Sequence, residues 1–228
     1  MSSARPALDP ATTWAIIPVR GLERAKSRLG EPLDAEERVD LVSRLLRRAV
    51  SAAVTSSRVA GAIVVSSDPA ALDLARASGA VPITDLDRGL NPALELARSE
   101  ALARGASAIV VLPGDLPWLD RETLDSVLAA ADDRWAQAIE AHGTTATVGR
   151  RVALVPDRHG TGTNVLILAP PDAIRFAFGT GSRTEHAARA AAAEAIYVEL
   201  GGPLDVDLDT ADDLVLVEGI APGTIDVV

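Results

Sequence analysis

The sequence predicts an α/β domain with a mostly parallel twisted sheet and a small antiparallel extension. Two observations lead to this prediction. Up to residue 131, short apolar runs alternate with longer segments of helical periodicity, and beyond it short apolar runs follow one another more closely. Alternating strands and helices with short connections are typical of a parallel sheet, which binds its ligands at the carboxyl ends of the strands.

The first half of the chain predicts four strand–helix units. The strands are apolar runs at residues 14–19, 62–65, 81–84 and 108–112. Asp34 and Glu37 form a capping-box pattern that begins the first helix. Asp68, followed by Pro69, suits the start of the second helix, and Asn91 suits the N-cap of the third. A fourth helix is predicted to begin near residue 120.

The second half predicts the antiparallel extension. Its strands are the apolar runs at residues 146–148, 152–155, 164–168 and 195–200. Ser182 and Glu185 form a capping-box pattern at the start of an Ala-rich helix, and a short last helix begins near Ala211. We expect residues 1–12 to be a flexible N-terminal segment and residues 13–228 to be a single domain, since the sequence contains no internal repeat and no interdomain linker.

Composition excludes several classes of function. The 228 residues carry 32 acidic and 22 basic side chains, a formal charge of -10, which argues against a nucleic-acid partner. The absence of cysteine excludes thiolate chemistry and disulfides. The polar N-terminus has no signal-like apolar region and no run is long enough to span a bilayer, so we expect a cytoplasmic protein with no membrane partner. Whether the protein forms a homodimer is left open.

The loop after the first strand is basic. Arg20, Arg24, Lys26 and Arg28 lie close together in an otherwise acidic chain. Such a basic loop, residues 20–30, can hold a triphosphate and neutralise the charge that develops on a leaving pyrophosphate. A solvated loop without a ligand is the alternative.

Carboxylates follow two strand-like segments. Asp115 comes at the carboxyl end of the most apolar strand, where it suits a magnesium ion better than a core role, although a turn residue is the alternative. Asp205, Asp207 and Asp209 alternate along a predicted extended segment, so that all three face one side. Three like charges on one face require a cation. We predict Asp115, Asp207 and Asp205 as Mg²⁺ ligands, because Asp209 or Thr210 serves equally well as a helix cap.

Two glycine loops lie in the second half. The first glycine loop, residues 157–164, ends in Gly-Thr-Gly-Thr163-Asn, and the second, residues 178–182, leads into a helix N-terminus through Gly179 and Ser182. Free amides and the helix dipole favour an anion at the second loop, with the Thr163 and Ser182 hydroxyls as donors. Ordinary turns are the alternative. The three histidines lack the spacing of metal ligands.

Together these motifs resemble the guanylyltransferases of deazaflavin coenzyme biosynthesis, which join GMP to phosphoenolpyruvate or 2-phospholactate on the route to coenzyme F-420. The resemblance spans nearly the whole chain. It rests on residues 17–20, 25–29, 89–91, 115–117, 160–164, 178–186 and 207–210.

The resemblance implies a three-layer, Rossmann-like nucleotidyltransferase fold with GTP as donor and Mg²⁺ as cofactor. It implies catalytic roles for Asp115, Lys26 and Arg20. It further implies that the nucleotide is bound by Arg20, Gly21, Lys26, Arg28 and Asn91, and the acceptor by Thr163, Gly179 and Ser182. The sequence does not distinguish phosphoenolpyruvate from 2-phospholactate.

Two other functions stay open at this point. One is a transferase of the same fold with a sugar phosphate or a pterin as acceptor. The other is a nonenzymatic nucleotide-binding module that kept the loops but lost turnover. Magnesium-dependent release of pyrophosphate would exclude the second, and a panel of acceptors would decide the first.

Overall fold

The structure is a computed structural model that describes residues 7–22, 33–141 and 149–220. The strands are β1 (Thr13–Pro18), β2 (Gly61–Ser66), β3 (Val81–Thr84), β4 (Ala108–Val111), β5 (Arg151–Pro156), β6 (Thr163–Ala169) and β7 (Ile196–Glu199). The helices are α1 (Ala35–Thr55), α2 (Pro69–Ala77), α3 (Leu90–Ala103), α4 (Arg121–Ala141), α5 (Ser182–Ala192) and α6 (Ala211–Ile220), and Pro203–Asp205 forms a short 3-10 helix. None of these helices has the length and apolar character needed to cross a bilayer.

The strands form one sheet in the order β3-β2-β1-β4-β6-β5-β7. β1 pairs in parallel with β2 on one side and with β4 on the other. The strand order therefore changes direction between β1 and β4. In open α/β sheets, ligands bind outside the carboxyl ends of the strands at this position.

Among the strands that the structure describes, β6 alone is reversed. β6 pairs antiparallel with both β4 and β5, whereas β7 is parallel to β5. The predicted mixed sheet is confirmed; the apolar run at residues 146–148 lies outside the described residues. Because β6 is reversed, its first residue, Thr163, lies at the same edge as the carboxyl end of β4.

Helices cover both faces of the sheet, which gives the three layers. Neighbouring β1 residues point to opposite faces: Ile17 packs in a core with α1, α2 and α4, and Ile16 packs in a second core with α3 and α5. A third, smaller cluster joins α1 and α6 to the segment after the 3-10 helix through buried Leu41, Val206 and Leu208.

The helix starts follow the sequence signals in two cases and depart from them in two. Asp34 and Glu37 form the predicted capping box, and Asp68 caps α2 ahead of Pro69. The other two predictions were wrong. α3 begins at Leu90, one residue before Asn91, and the α5 N-cap is Gly181 rather than Ser182. Both helices are preceded by a glycine at positive φ, a backbone start that no capping side chain signals.

Part of the predicted N-terminal segment belongs to the folded domain. Residues 7–12 pack against the domain: Leu8 is buried, and its amide donates to the Asp132 carboxylate at 2.9 Å. The Thr12 carbonyl accepts from the Ser107 amide at 2.9 Å, which ties the segment to the start of β4. Burial of Leu8 is the physical reason that residues 7–12 are part of the folded unit.

Candidate active site

Three carboxylates converge at the point where the strand order changes. Asp115, Asp207 and Asp209 each offer an oxygen, and these three oxygens lie within 4.8 Å of one another. The Leu208 amide donates to the Asp115 carbonyl at 3.1 Å, so a backbone hydrogen bond joins the two segments. Opposite oxygen ligands are about 4 Å apart around Mg²⁺ and about 5 Å apart around Ca²⁺, twice the metal–oxygen distance. The spacing of this acidic group therefore fits a hard divalent cation.

The alternation of side chains explains how the C-terminal segment joins this group. Val206 and Leu208 are buried in the small cluster with α1 and α6, while Asp207 and Asp209 are half-buried. In an extended segment, neighbouring side chains point to opposite sides. Burial of the two apolar residues thus directs the two carboxylates toward Asp115.

Asp205, a predicted metal ligand, is not part of the acidic group, and Asp209 takes its place. The prediction assumed that the segment is extended from residue 205 onward. Instead, Gly202 and Pro203 begin the 3-10 helix Pro203–Asp205, which buries Leu204. Asp205 therefore precedes the alternating stretch that turns Asp207 and Asp209 to one side.

The Asp213 side chain fixes the end of the segment that carries Asp207 and Asp209. Its Oδ2 accepts from the amides of Asp209 at 3.0 Å and Thr210 at 2.7 Å, while the Thr210 hydroxyl accepts from the Asp213 amide at 3.3 Å. This is a reciprocal cap on α6. The other oxygen of Asp213, which is 3% exposed as a residue, pairs with Arg158 of the first glycine loop at 2.5 Å. One buried carboxylate therefore links the acidic group to the first glycine loop.

The base of the basic loop lies beside the β2–α2 connection. Arg20 is exposed at the end of β1, and the Leu22 amide donates to the Asp68 carboxylate at 2.7 Å. A Cβ built on Gly21 would lie 3.5 Å from the same carboxylate. Lys26 and Arg28 lie outside the described residues. The nucleotide-binding roles of Arg20, Gly21, Lys26 and Arg28 stay predictions.

Asn91 connects α3 to the second glycine loop. Its Oδ1 accepts from the Phe178 amide at 2.8 Å, and its Nδ2 donates to the Phe178 carbonyl at 3.0 Å. This paired bond fixes the backbone ahead of Gly179, whose φ of 130° suits glycine. Contact with a nucleoside, the predicted role of Asn91, stays a prediction.

Arg183 joins the two glycine loops and uses three of its five guanidinium N–H groups within the protein. Its guanidinium bonds both oxygens of Glu199, at 2.9 and 2.7 Å, and donates to the Gly160 carbonyl at 2.9 Å. Hydrogen bonds from Arg183 hold the pKa of Glu199 below its usual value. The Arg183 amide also donates to the Thr161 carbonyl. The predicted set of free amides at this helix start is thus partly used within the protein.

Thr163 and Ser182, both predicted to bind the acceptor, are buried. Thr163 is the first residue of β6, and Ser182 is the first residue of α5. The Thr163 hydroxyl lies 3.0 Å from Nδ1 of His186, and Nε2 of His186 accepts from the Ala177 amide at 3.0 Å. His186 is fully buried, and burial lowers its pKa to about 4. The ring is therefore neutral at ordinary pH.

The buried, neutral His186 predicts a dependence of stability on pH. The unfolded chain takes up a proton near pH 6.5, whereas the folded chain does so only near pH 4. The stabilising contribution is complete above pH 6.5 and decreases as the pH falls toward 4, by about 3 kcal/mol in total. Urea unfolding of the wild type and of His186→Asn at both ends of this range should show this difference, since the carboxylates are common to both proteins. Equal losses of unfolding free energy in the wild type and in His186→Asn would contradict this prediction.

Sequence reasoning missed several residues that build the site. Asp213 was detectable, because Thr210 and Asp213 have capping-box spacing with Asp in place of Glu. The contacts of Arg183 with Glu199 and of Asn91 with Phe178 join residues 16 and 87 positions apart, and no local pattern signals such pairs.

Comparison with known proteins identifies the family of this chain. Residues 13–220 match the family model described as "Guanylyl transferase CofC like". The chain belongs to this family. The matched range includes the acidic group, both glycine loops and the whole of the basic loop.

Relatives in the CofC-like family match over most of their length. The chain is 39% identical to a phosphoenolpyruvate guanylyltransferase of Sphaerobacter thermophilus, over 92% of this chain and 95% of that protein. It is 36% identical to a protein of the same name from Rubrobacter xylanophilus, over 91% and 94%. Among solved structures, a nucleotidyl transferase from Methanothermobacter thermautotroptrophicus superposes with a TM-score of 0.58 at 17% identity, covering 92% of this chain and 97% of that one. This last likeness shows the nucleotidyltransferase fold.

Proposed function

We propose that this CofC-like guanylyl transferase moves GMP from GTP to phosphoenolpyruvate, with release of pyrophosphate, in the biosynthesis of coenzyme F-420. 2-Phospholactate is the second acceptor to test. The observation that carries the proposal is the acidic group of Asp115, Asp207 and Asp209 at the change of strand order. It has the base of the basic loop on one side and the first glycine loop on the other.

The donor side is built on β1 and β4. Asp115, Asp207 and Asp209 would hold Mg²⁺, which would neutralise negative charge on the phosphates of the nucleotide. Arg20 and the basic loop, with Lys26 and Arg28, supply the positive charge that the leaving pyrophosphate needs. The Asp68 carboxylate accepts a hydrogen bond from the Leu22 amide and so anchors the start of this loop.

The acceptor side is built on β6 and α5. Thr163 and Ser182 offer hydroxyls, and Gly179 lets the backbone approach closely because it has no side chain. Phosphoenolpyruvate carries a phosphate and a carboxylate, so it suits a site rich in hydrogen-bond donors. The named relatives are phosphoenolpyruvate guanylyltransferases, which favours this acceptor over 2-phospholactate.

The reaction requires no protein nucleophile. An oxygen of the acceptor phosphate attacks the α-phosphorus of GTP, and the bond from that phosphorus to the β-phosphate oxygen breaks. Pyrophosphate leaves with the electron pair, and GMP is joined to the acceptor by a diphosphate bond. The protein's contribution is to align two anions that repel each other and to stabilise the departing charge.

The direct test is to incubate the purified protein with MgCl₂, one nucleotide (GTP, CTP or ATP) and one acceptor. The acceptors are phosphoenolpyruvate, 2-phospholactate and glucose 1-phosphate, and products are identified by mass. We expect a GMP adduct of phosphoenolpyruvate that is lost when EDTA replaces MgCl₂. An adduct formed with the sugar phosphate alone would overturn the proposal, as would the absence of any adduct with GTP.

A further inference from the structure

We propose that His186 is a positioning residue: its imidazole occupies one lone pair of the Thr163 hydroxyl and so directs the Thr163 proton toward the acceptor. The inference rests on the proposed function for the identity of the acceptor. It assigns a role to a buried side chain that the reaction itself does not use.

The direction of the His186–Thr163 hydrogen bond follows from a third group. The Ala177 amide can only donate, and it lies 3.0 Å from Nε2 of His186. Nε2 must therefore be the unprotonated nitrogen. In a neutral imidazole the proton is then on Nδ1, which lies 3.0 Å from the Thr163 hydroxyl oxygen. His186 donates, and the Thr163 oxygen accepts.

Packing holds the imidazole in this orientation. The ring is fully buried, and it meets the Phe178 ring edge to face with centroids 5.1 Å apart. The Phe178 backbone is itself held on both sides by the Asn91 amide. A ring flip would place a carbon beside the Ala177 amide and leave that half-buried donor without its partner, at a cost in free energy.

The consequence for Thr163 is a hydroxyl proton that the bond with His186 does not use. Thr163 is 8% exposed, and within the described part of the chain its hydroxyl makes no hydrogen bond other than the one with His186. Since the oxygen already accepts from Nδ1, its own proton is available to an anionic oxygen. Thr163 is the first residue of β6, at the edge of the sheet beside the acidic group.

Two substitutions separate the functions of the two ring nitrogens. The Asn amide reaches the position of Nδ1, so His186→Asn can still donate to Thr163. The Gln amide reaches the position of Nε2, so His186→Gln can still accept from Ala177 but loses the donor to Thr163. We expect His186→Gln to raise the KM for phosphoenolpyruvate about five- to tenfold, with the KM for GTP within about twofold. His186→Asn should restore most of the acceptor KM.

A double-mutant cycle tests whether the effect passes through Thr163. In a Thr163→Val background, His186→Gln should change the acceptor KM by less than about twofold, because the hydroxyl it orients is gone. An equal increase in both backgrounds would overturn the proposal, as would a larger acceptor KM for His186→Asn than for His186→Gln.

The tautomer can be measured without any activity. In a long-range ¹H–¹⁵N spectrum of the wild-type protein, we expect the His186 proton on Nδ1 from about pH 6 to pH 8. A proton on Nε2, or on both nitrogens, would overturn the proposal even if GMP transfer is found. Conversely, a proton on Nδ1 in a protein that makes no adduct from GTP and phosphoenolpyruvate would count against the proposed function alone.

Discussion

Asp115→Asn is expected to lower the rate of GMP transfer by at least about 100-fold while leaving the fold intact. The substitution keeps the shape of the side chain and removes one of three negative charges that converge within 4.8 Å. It does not disturb the hydrogen bond from the Leu208 amide, which is accepted by the Asp115 backbone carbonyl. Turnover with saturating GTP and phosphoenolpyruvate measures the loss, and circular dichroism checks the fold.

Asp205→Asn is the matched control for this experiment. It makes the same chemical change in the segment that contributes Asp207 and Asp209, but at a residue outside the acidic group. We expect its rate to stay within about threefold of the wild type. Near-normal transfer by a folded Asp115→Asn protein would remove the basis for a cation site here. So would a loss in Asp205→Asn as large as that in Asp115→Asn.

Asp213→Ala is expected to lower the free energy of unfolding by about 2–4 kcal/mol. The change removes the cap that accepts from Asp209 and Thr210 and leaves Arg158 without its carboxylate. Because the Asp209 backbone is released, the Mg²⁺ concentration needed for half-maximal activity should rise as well. Urea denaturation gives the first quantity, and titration of activity with MgCl₂ gives the second.

The neighbouring Asp212→Ala provides the comparison. Asp212 is an exposed residue in the same turn of α6. Its substitution should change the unfolding free energy by no more than about 0.5 kcal/mol. If Asp213→Ala and Asp212→Ala have the same free energy of unfolding, Asp213 does not stabilise the turn at the start of α6. If Asp213→Ala is destabilised but needs no more Mg²⁺ for half-maximal activity than the wild type, that turn does not position the acidic group.

The mixed sheet and the positions of its strands along the chain were predictable because apolar runs and helical periodicity are local patterns. β6 illustrates why: its seven residues are all buried, and the last five, residues 165–169, appear in the sequence as a continuous apolar run. The start of α5 was predicted wrongly for an equally local reason. Ser182 and Glu185 have capping-box spacing, but Gly181 at a φ of 74° already begins the helix and leaves Ser182 inside its first turn.

The candidate site was predictable in part. Asp115 was found from its place after an apolar strand, and Asp207 from the alternation of acidic residues. Asp205 was preferred to Asp209 as a metal ligand, whereas the structure groups Asp209 with Asp115 and Asp207. Alternation alone does not show where an extended segment begins, and a 3-10 helix ends at Asp205. The role of His186 requires knowing that the Ala177 amide faces its ring, a contact between residues nine positions apart that no periodicity encodes.

The reversed direction of β6 has a consequence for how this family can change its chemistry. The hairpin between β5 and β6 reaches the active-site edge without being part of any strand–helix unit of the parallel half. Insertions or exchanges in this hairpin that keep Arg158, the partner of Asp213, would alter the surroundings of the proposed acceptor while leaving the connections after β1 and β4 in place. On the proposed function, acceptor range can then diverge through one surface hairpin, whereas the proposed nucleotide site is built on the connections of the parallel half.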